Sequence, residues 1–200
     1  MERESRVYLL RHGQVKGYEN FPVYGQTDVD LTETGVLQMK QVAKRLSLTE
    51  PEAIYSSDLK RSATGALLIA RHHDVPLYFL PELREMDFGD WEDLTLSEIR
   101  RDFPEELQQR EKDLINYKTP GEGESIADLS KRIETVFERI RAEQRGNDIV
   151  IAAHGGVNRI ILCKALGLDL GRMYNIHQAY GCLNIIDYFS ESTLVRLING

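Results

Sequence analysis

Ile149-Val150-Ile151-Ala152-Ala153 is an unbroken apolar run that ends in His154-Gly155-Gly156, and Val7-Tyr8-Leu9-Leu10 is a second, ending in Arg11-His12-Gly13. Runs of this kind have no polar face to offer water, so as strands they must be covered on both sides. The intervening segments can supply the cover. Val36, Met39, Ala43 and Leu46 follow helical steps after Thr32, a candidate N-cap, and Leu59, Ala63, Leu67 and Ala70 do so in the next segment, where Ser57 or Asp58 can serve as the cap. Ser125 with Asp128 has the spacing of a capping box and opens a face of Ile126, Leu129, Ile133, Val136, Phe137 and Ile140. Val157, Ile160, Ile161 and Ala165 form another face, stopped near Gly167. Strands are expected at 6–10, 53–56, 76–80, 149–153, 182–188 and 193–198. Their alternation with helices predicts an α/β fold, a three-layer α/β/α sandwich on a mainly parallel six-stranded sheet.

The chain has 200 residues, 42% of them hydrophobic, which suits one domain with a sizeable core over 1–200. Residues 93–124 stand apart: charges of both signs surround weak helical periodicity, so short helices arching over the active-site side are expected there, or else a solvated helical pair that closes the core and touches nothing. The stretch 13–31 has no sustained period and contains Gly17, Pro22 and Gly25; long irregular connections are usually functional, so it is read as a wall of the site. A formal charge of −7 and the lack of a basic stripe argue against nucleic acid. The short apolar run behind Glu2-Arg3-Glu4-Ser5-Arg6 is neither a signal peptide nor a membrane span, so a soluble, cytoplasmic protein is expected. Cys163 and Cys182 lack metal or disulfide spacing and are expected to be buried thiols. His72-His73-Asp74 reads as a helix end, and Gly121 and Gly123 as a turn without the Gly-Lys-Ser/Thr of a phosphate loop.

Ligands of open α/β sheets bind beyond the carboxyl ends of the strands. Four such ends carry chemistry here: Arg11-His12, Arg61 in the first turns of the helix after 53–56, the carboxylates after 76–80, and His154. Two arginines and two histidines around one point oppose the global charge and call for an anion. Phosphoryl transfer needs positioning and stabilisation of charge on the equatorial oxygens, work for arginine and doubly protonated histidine, and it needs no metal or other cofactor. A neutral imidazole could attack phosphorus, and a carboxylic acid could protonate the departing oxygen. Spacing alone leaves that acid open among Glu82, Glu85, Asp87, Asp90 and Glu92.

The motifs Leu10-Arg11-His12-Gly13, Gly25-Gln26-Thr27-Asp28, Leu31-Thr32-Glu33-Thr34-Gly35, Ser56 to Thr64, Leu83 to Glu92, Pro120 to Ser125 and Ala153-His154-Gly155-Gly156 together resemble the histidine phosphatase superfamily, also called phosphoglycerate mutase-like. The resemblance covers nearly the whole chain. It implies His12 as the phosphorylated nucleophile, Glu85 as proton donor and acceptor, and Arg11, Arg61 and His154 as the phosphate pocket, with Asn20, Tyr24 and Gly155 as further substrate contacts. Three positions depart from the family: Tyr18 and Tyr24 stand where relatives place an asparagine and a small hydroxyl residue, so Asn20 and the backbone are expected to substitute, and Gln14 replaces a glutamate. The short span from Glu85 to His154 favours hydrolysis over mutase chemistry. Tyr180-Gly181-Cys182-Leu183-Asn184-Ile185-Ile186 and the loop after Gln14 look most like the α-ribazole phosphatase branch, which acts in cobalamin nucleotide-loop assembly. The alternatives are a phosphoglycerate mutase, a broad-specificity phosphatase, and a non-catalytic module that binds phosphorylated ligands. A small phosphorylated metabolite is the expected partner, with no membrane, and a homodimer is left open.

Overall fold

A computed structural model describes residues 2–20 and 22–200. Six strands form one sheet: β1 (Ser5–Arg11), β2 (Ala53–Ser56), β3 (Leu77–Phe79), β4 (Ile149–Ala153), β5 (Leu183–Tyr188) and β6 (Thr193–Leu197). Their order is β3-β2-β4-β1-β5-β6; the first four run parallel, β5 is antiparallel to β1, and β6 is antiparallel to β5. All six expected strands are present, the third trimmed to three residues at the sheet edge, where Tyr78 and Phe79 are exposed.

Side chains alternate across the sheet with the strand period of two. Leu9 and Ile151 join Ile133, Phe137 and Ile160 on one side, under α5 (Ile126–Glu143) and α6 (Gly155–Leu166). Tyr8, Leu10 and Val150 join Val42, Leu46 and Ile69 on the other, under α1 (Glu33–Leu46) and α2 (Lys60–Ala70). That is the expected three-layer sandwich. Each aliphatic side chain so buried contributes about 1.5–3 kcal/mol.

Local chemistry sets the helix ends. Thr32 caps α1 by accepting from the Gly35 N–H, Ser125 and Asp128 form a reciprocal capping box, and Gly167 stops α6 in the left-handed conformation. The α2 cap differs from expectation. Its N-cap is Leu59, without a side-chain bond, because the Asp58 carboxylate is taken by the Arg84 guanidinium. The free Lys60 N–H is met from another segment, by Asp28 Oδ1 at 2.8 Å. An ion pair thus outcompetes local capping, and the loop 25–28 is tied to the helix that presents Arg61.

Residues 93–124 fold into α3 (Leu96–Asp102) and α4 (Pro104–Lys112) and an irregular return. Buried Trp91 stacks on Tyr117 and meets Phe103 edge-on. Thr95, the capping-box residue of α3, bridges to Pro22, so the start of the excursion backs the 13–31 loop, whereas α4 has no buried residue. No helix among the described residues is long and apolar enough to cross a membrane.

Candidate active site

β1 and β4 are neighbours with Arg11 paired to Ala153, so the residues that follow them emerge side by side. The His12 N–H donates to the Ala153 carbonyl, and the His12 and His154 rings meet edge-on, 5.2 Å between centroids. The turn after His12 is tight against α1: a Cβ on Gly13 would lie 2.3 Å from the Gly35 carbonyl oxygen, so only glycine fits. His12 Nδ1 lies 2.8 Å from the Gly13 carbonyl oxygen, to which it can only donate. Nε2 is then the nitrogen that carries the lone pair.

Arg61 is 2% exposed, in the first turn of α2. Its Nη2 and Nη1 donate to the Gly25 and Thr27 carbonyls, both at 2.6 Å, and its Nε donates to His154 Nδ1 at 3.3 Å. Because Nδ1 accepts, the His154 proton is on Nε2. Arg11 donates through Nη1 to the Gln178 carbonyl and lies over the Tyr180 ring, 4.2 Å from its centroid. Of the buried side-chain donors without an acceptor among the described residues, two stand in this group, Arg11 Nε and His154 Nε2. Buried donors are rarely left unpaired without a functional reason. Here both belong to residues that surround His12.

Burial is the largest cause that pushes the His12 and His154 pKa values well below the ordinary imidazole value of 6.5; the Arg11 and Arg61 charges push the same way. The expectation of doubly protonated histidines is corrected on this point: a buried ring between two guanidinium groups is held neutral, and His154 offers a single N–H. Folded-state values below the unfolded one make both rings a source of stability that is complete above pH 6.5 and lost as pH falls. Without ligand, unfolding free energy should therefore fall from pH 6.5 toward 5, by up to about 1.4 kcal/mol per pH unit for each ring. His154→Asn should flatten that slope by about one proton in denaturant titrations. Equal slopes in the two proteins would mean that His154 is charged in the folded state.

The structure separates the carboxylates that sequence left equivalent. Glu85 lines the cavity with His12, Arg11 and Arg61. Its Oε2 accepts from the Gly156 N–H at the start of α6, at 2.9 Å, and its Oε1 from the Met86 N–H, at 3.0 Å. A Cβ on Gly156 would lie 2.3 Å from Oε1, so this close approach requires glycine there. Glu92 instead clamps the loop behind Arg61, accepting from the Gln26, Thr27 and Phe88 N–H groups. Glu82 pairs with Arg139 on the surface, Asp87 accepts from the Gly89 N–H, and Asp90 is exposed.

Sequence reasoning missed the support beneath Glu85. Arg132, on α5, donates to the carbonyls of Glu82, Arg84 and Glu85 while Glu124 holds its guanidinium in a two-pronged bond. Glu124 lies in a motif already singled out, whereas Arg132 sits on the polar side of an amphipathic helix and gives no signal there.

The cavity encloses about 290 Å³ and is lined by Arg11, His12, Arg61 and Glu85 together with Pro22, Val23, Tyr24, Gly25, Phe88 and Tyr180. Of the further expected contacts, Tyr24 is on this wall, its hydroxyl donating to the Lys16 carbonyl at 3.0 Å. Tyr18 packs with Val15, Leu31 and Met39 away from it. Asn20 is exposed in a short 3₁₀ turn off the wall, and Gly155 is buried behind Arg11 and Arg159. Both cysteines are buried and free, and among the described residues no group of three or more His, Cys, Asp or Glu could hold a metal ion.

A sequence profile of the histidine phosphatase superfamily (branch 1) matches residues 7–200. The chain is 26% identical over 197 residues to the adenosylcobalamin/α-ribazole phosphatase of Escherichia coli strain K12, covering 97% of this chain and 95% of the relative. It is 33% identical over 159 residues to a metal-independent phosphoserine phosphatase of Arabidopsis thaliana, covering 78% and 67%. Among solved structures, the α-ribazole phosphatase of Shigella flexneri superposes with a TM-score of 0.87 at 25% identity, over 98% of this chain and 96% of that one.

Proposed function

The chain belongs to the histidine phosphatase superfamily (branch 1), and on that footing we propose that it hydrolyses phosphate monoesters through a phosphohistidine on His12, with α-ribazole 5′-phosphate as substrate. The observation that carries the reading is the pair of unpartnered buried donors, Arg11 Nε and His154 Nε2, beside a neutral imidazole whose Nδ1 is engaged. Arg11, Arg61 and His154 hold the phosphoryl oxygens, the arrangement that charge developing on those oxygens requires.

His12 Nε2 attacks phosphorus as the bond to the ester oxygen breaks, and Glu85 gives its proton to the departing alcohol. Water then attacks the phosphohistidine while Glu85 takes its proton; the P–N bond breaks, inorganic phosphate leaves, and the starting imidazole and carboxylic acid return. His12 and Glu85, the two groups that make and break bonds in this scheme, both line the cavity, while His154 lies buried against His12 outside the lining.

For the substrate, support comes from relatives named α-ribazole phosphatase that span nearly the whole chain; phosphoserine is the second reading, favoured by the more identical but shorter match. The deciding assay is phosphate release, with EDTA present, from α-ribazole 5′-phosphate, phosphoserine, 3-phosphoglycerate and p-nitrophenyl phosphate. The expected result is hydrolysis fastest for the first among the three alkyl esters. Exchange of phosphate between the hydroxyls of glycerate with little release would show a mutase, and no turnover of any ester would leave a binding module.

A further inference from the structure

We infer that the outer half of the cavity selects phosphate esters of alcohols that carry no negative charge and present a flat apolar face, with Val23 and Phe88 as the residues that set this preference. The inference rests on the phosphatase reading and deepens it.

The charge on the cavity wall is confined to Arg11, Arg61 and Glu85, with His12 among them; Pro22, Val23, Tyr24, Gly25, Phe88 and Tyr180 make the rest, and of these Tyr180 packs on Arg11 and His12. The Tyr24 hydroxyl is already engaged with a carbonyl. A second anionic group on the substrate would need a further cation, and among the described residues none beyond Arg11 and Arg61 lines the cavity. Of the cations nearby, Arg110 lies over the Phe88 ring, 5.9 Å from its centroid, and donates through Nη2 to the Tyr174 hydroxyl; Arg159 donates to the Ile176 carbonyl; Lys16 pairs with Asp30. Burial is the first cause that pushes the Tyr24 pKa up to about 12, so this part of the wall is poorly hydrated. A carboxylate there would lose water and meet rings, which is discrimination by an unpaired desolvated group.

The wall is also fixed in place. Val23 exchanges backbone hydrogen bonds with the 93–94 segment at 2.8 and 2.9 Å, Pro22 bridges to Thr95, and the Phe88 N–H is held by Glu92. Preference is therefore built into the unliganded protein. α-Ribazole, a nucleoside with a flat base, falls in the selected class; serine and glycerate do not.

The test is the ratio of kcat/KM for 2-phenylethyl phosphate to that for 3-phosphoglycerate, both alkyl esters that need the same acid assistance. The native protein should favour the former by at least about tenfold. Val23→Arg should shrink the ratio by about tenfold by giving the carboxylate a partner, and Phe88→Ala should shrink it from the other side by weakening the apolar ester. A native ratio near or below one overturns the inference, as do two variants that both keep the native ratio within about twofold. Hydrolysis of neither ester by the native protein would instead bring down the phosphatase reading itself and this inference with it.

Discussion

Replacing His12 with alanine should lower kcat/KM for every phosphate monoester by at least about 10⁴-fold, the scale on which a nucleophile is lost from a covalent mechanism. The same variant should still fold and bind oxyanions. Arg11 Nε and His154 Nε2 do not depend on His12, and Arg61 keeps its bonds to Gly25, Thr27 and His154. Removing a buried imidazole from between two guanidinium groups also removes a group that folding must strip of water. Stability near neutral pH should therefore change little, and vanadate should still raise the midpoint of thermal unfolding.

Native protein quenched during turnover in alkaline denaturant should carry a phosphoryl group that acid hydrolyses and base does not, and the variant should carry none. Rapid turnover by the alanine variant, or a phosphoryl group on another residue, would reject His12 as nucleophile. The depressed His12 pKa fixes the sign of the pH effect as well. Attack needs the neutral ring, so any acid limb in kcat/KM that belongs to His12 lies well below pH 6.5.

Why His12 and His154 were legible while other parts of the site were not is a matter of range. Each histidine directly follows an apolar strand, and both the strand and its carboxyl end can be read from a few consecutive residues. The same holds for the caps at Thr32 and Ser125, whose partners lie three residues away. The α2 cap was misread because its outcome depends on Arg84 and Asp28, which approach Asp58 and the Lys60 N–H only once the sheet has formed. Arg132 is the extreme case: its acceptors are main-chain carbonyls 47 to 50 residues away, and a carbonyl is present at every residue of a sequence. For Glu85, the resemblance supplied the choice and spacing could not. What separates it physically from Glu82, Asp87, Asp90 and Glu92 is the Gly156 N–H, delivered by a helix that begins only because His154 ends the preceding strand. Asn20, inferred from local sequence, is exposed in its 3₁₀ turn and is not among the residues that line the cavity.

Glu85→Gln should separate substrates by how much help their leaving groups need. For alkyl esters, whose alkoxide is a poor leaving group, loss of the acid should slow kcat by about 10²–10⁴-fold. For p-nitrophenyl phosphate the oxygen departs without a proton, and the loss should be tenfold or more smaller than for the alkyl esters. Glutamine is the informative replacement. Its carbonyl oxygen can accept from the Gly156 or the Met86 N–H, so the loop geometry that Arg132 imposes on residues 82–85 is kept while the exchangeable carboxyl proton is removed. A burst of p-nitrophenol follows from the same assignment if the second step, in which Glu85 would take the proton of water, becomes limiting. Arg132→Met leaves the carboxyl in place and loosens the segment that positions it, so it should slow alkyl esters more than p-nitrophenyl phosphate, and by less than Glu85→Gln does. If Glu85→Gln slows aryl and alkyl esters equally, with no burst, Glu85 is a wall of the cavity, and the proton must come from another group.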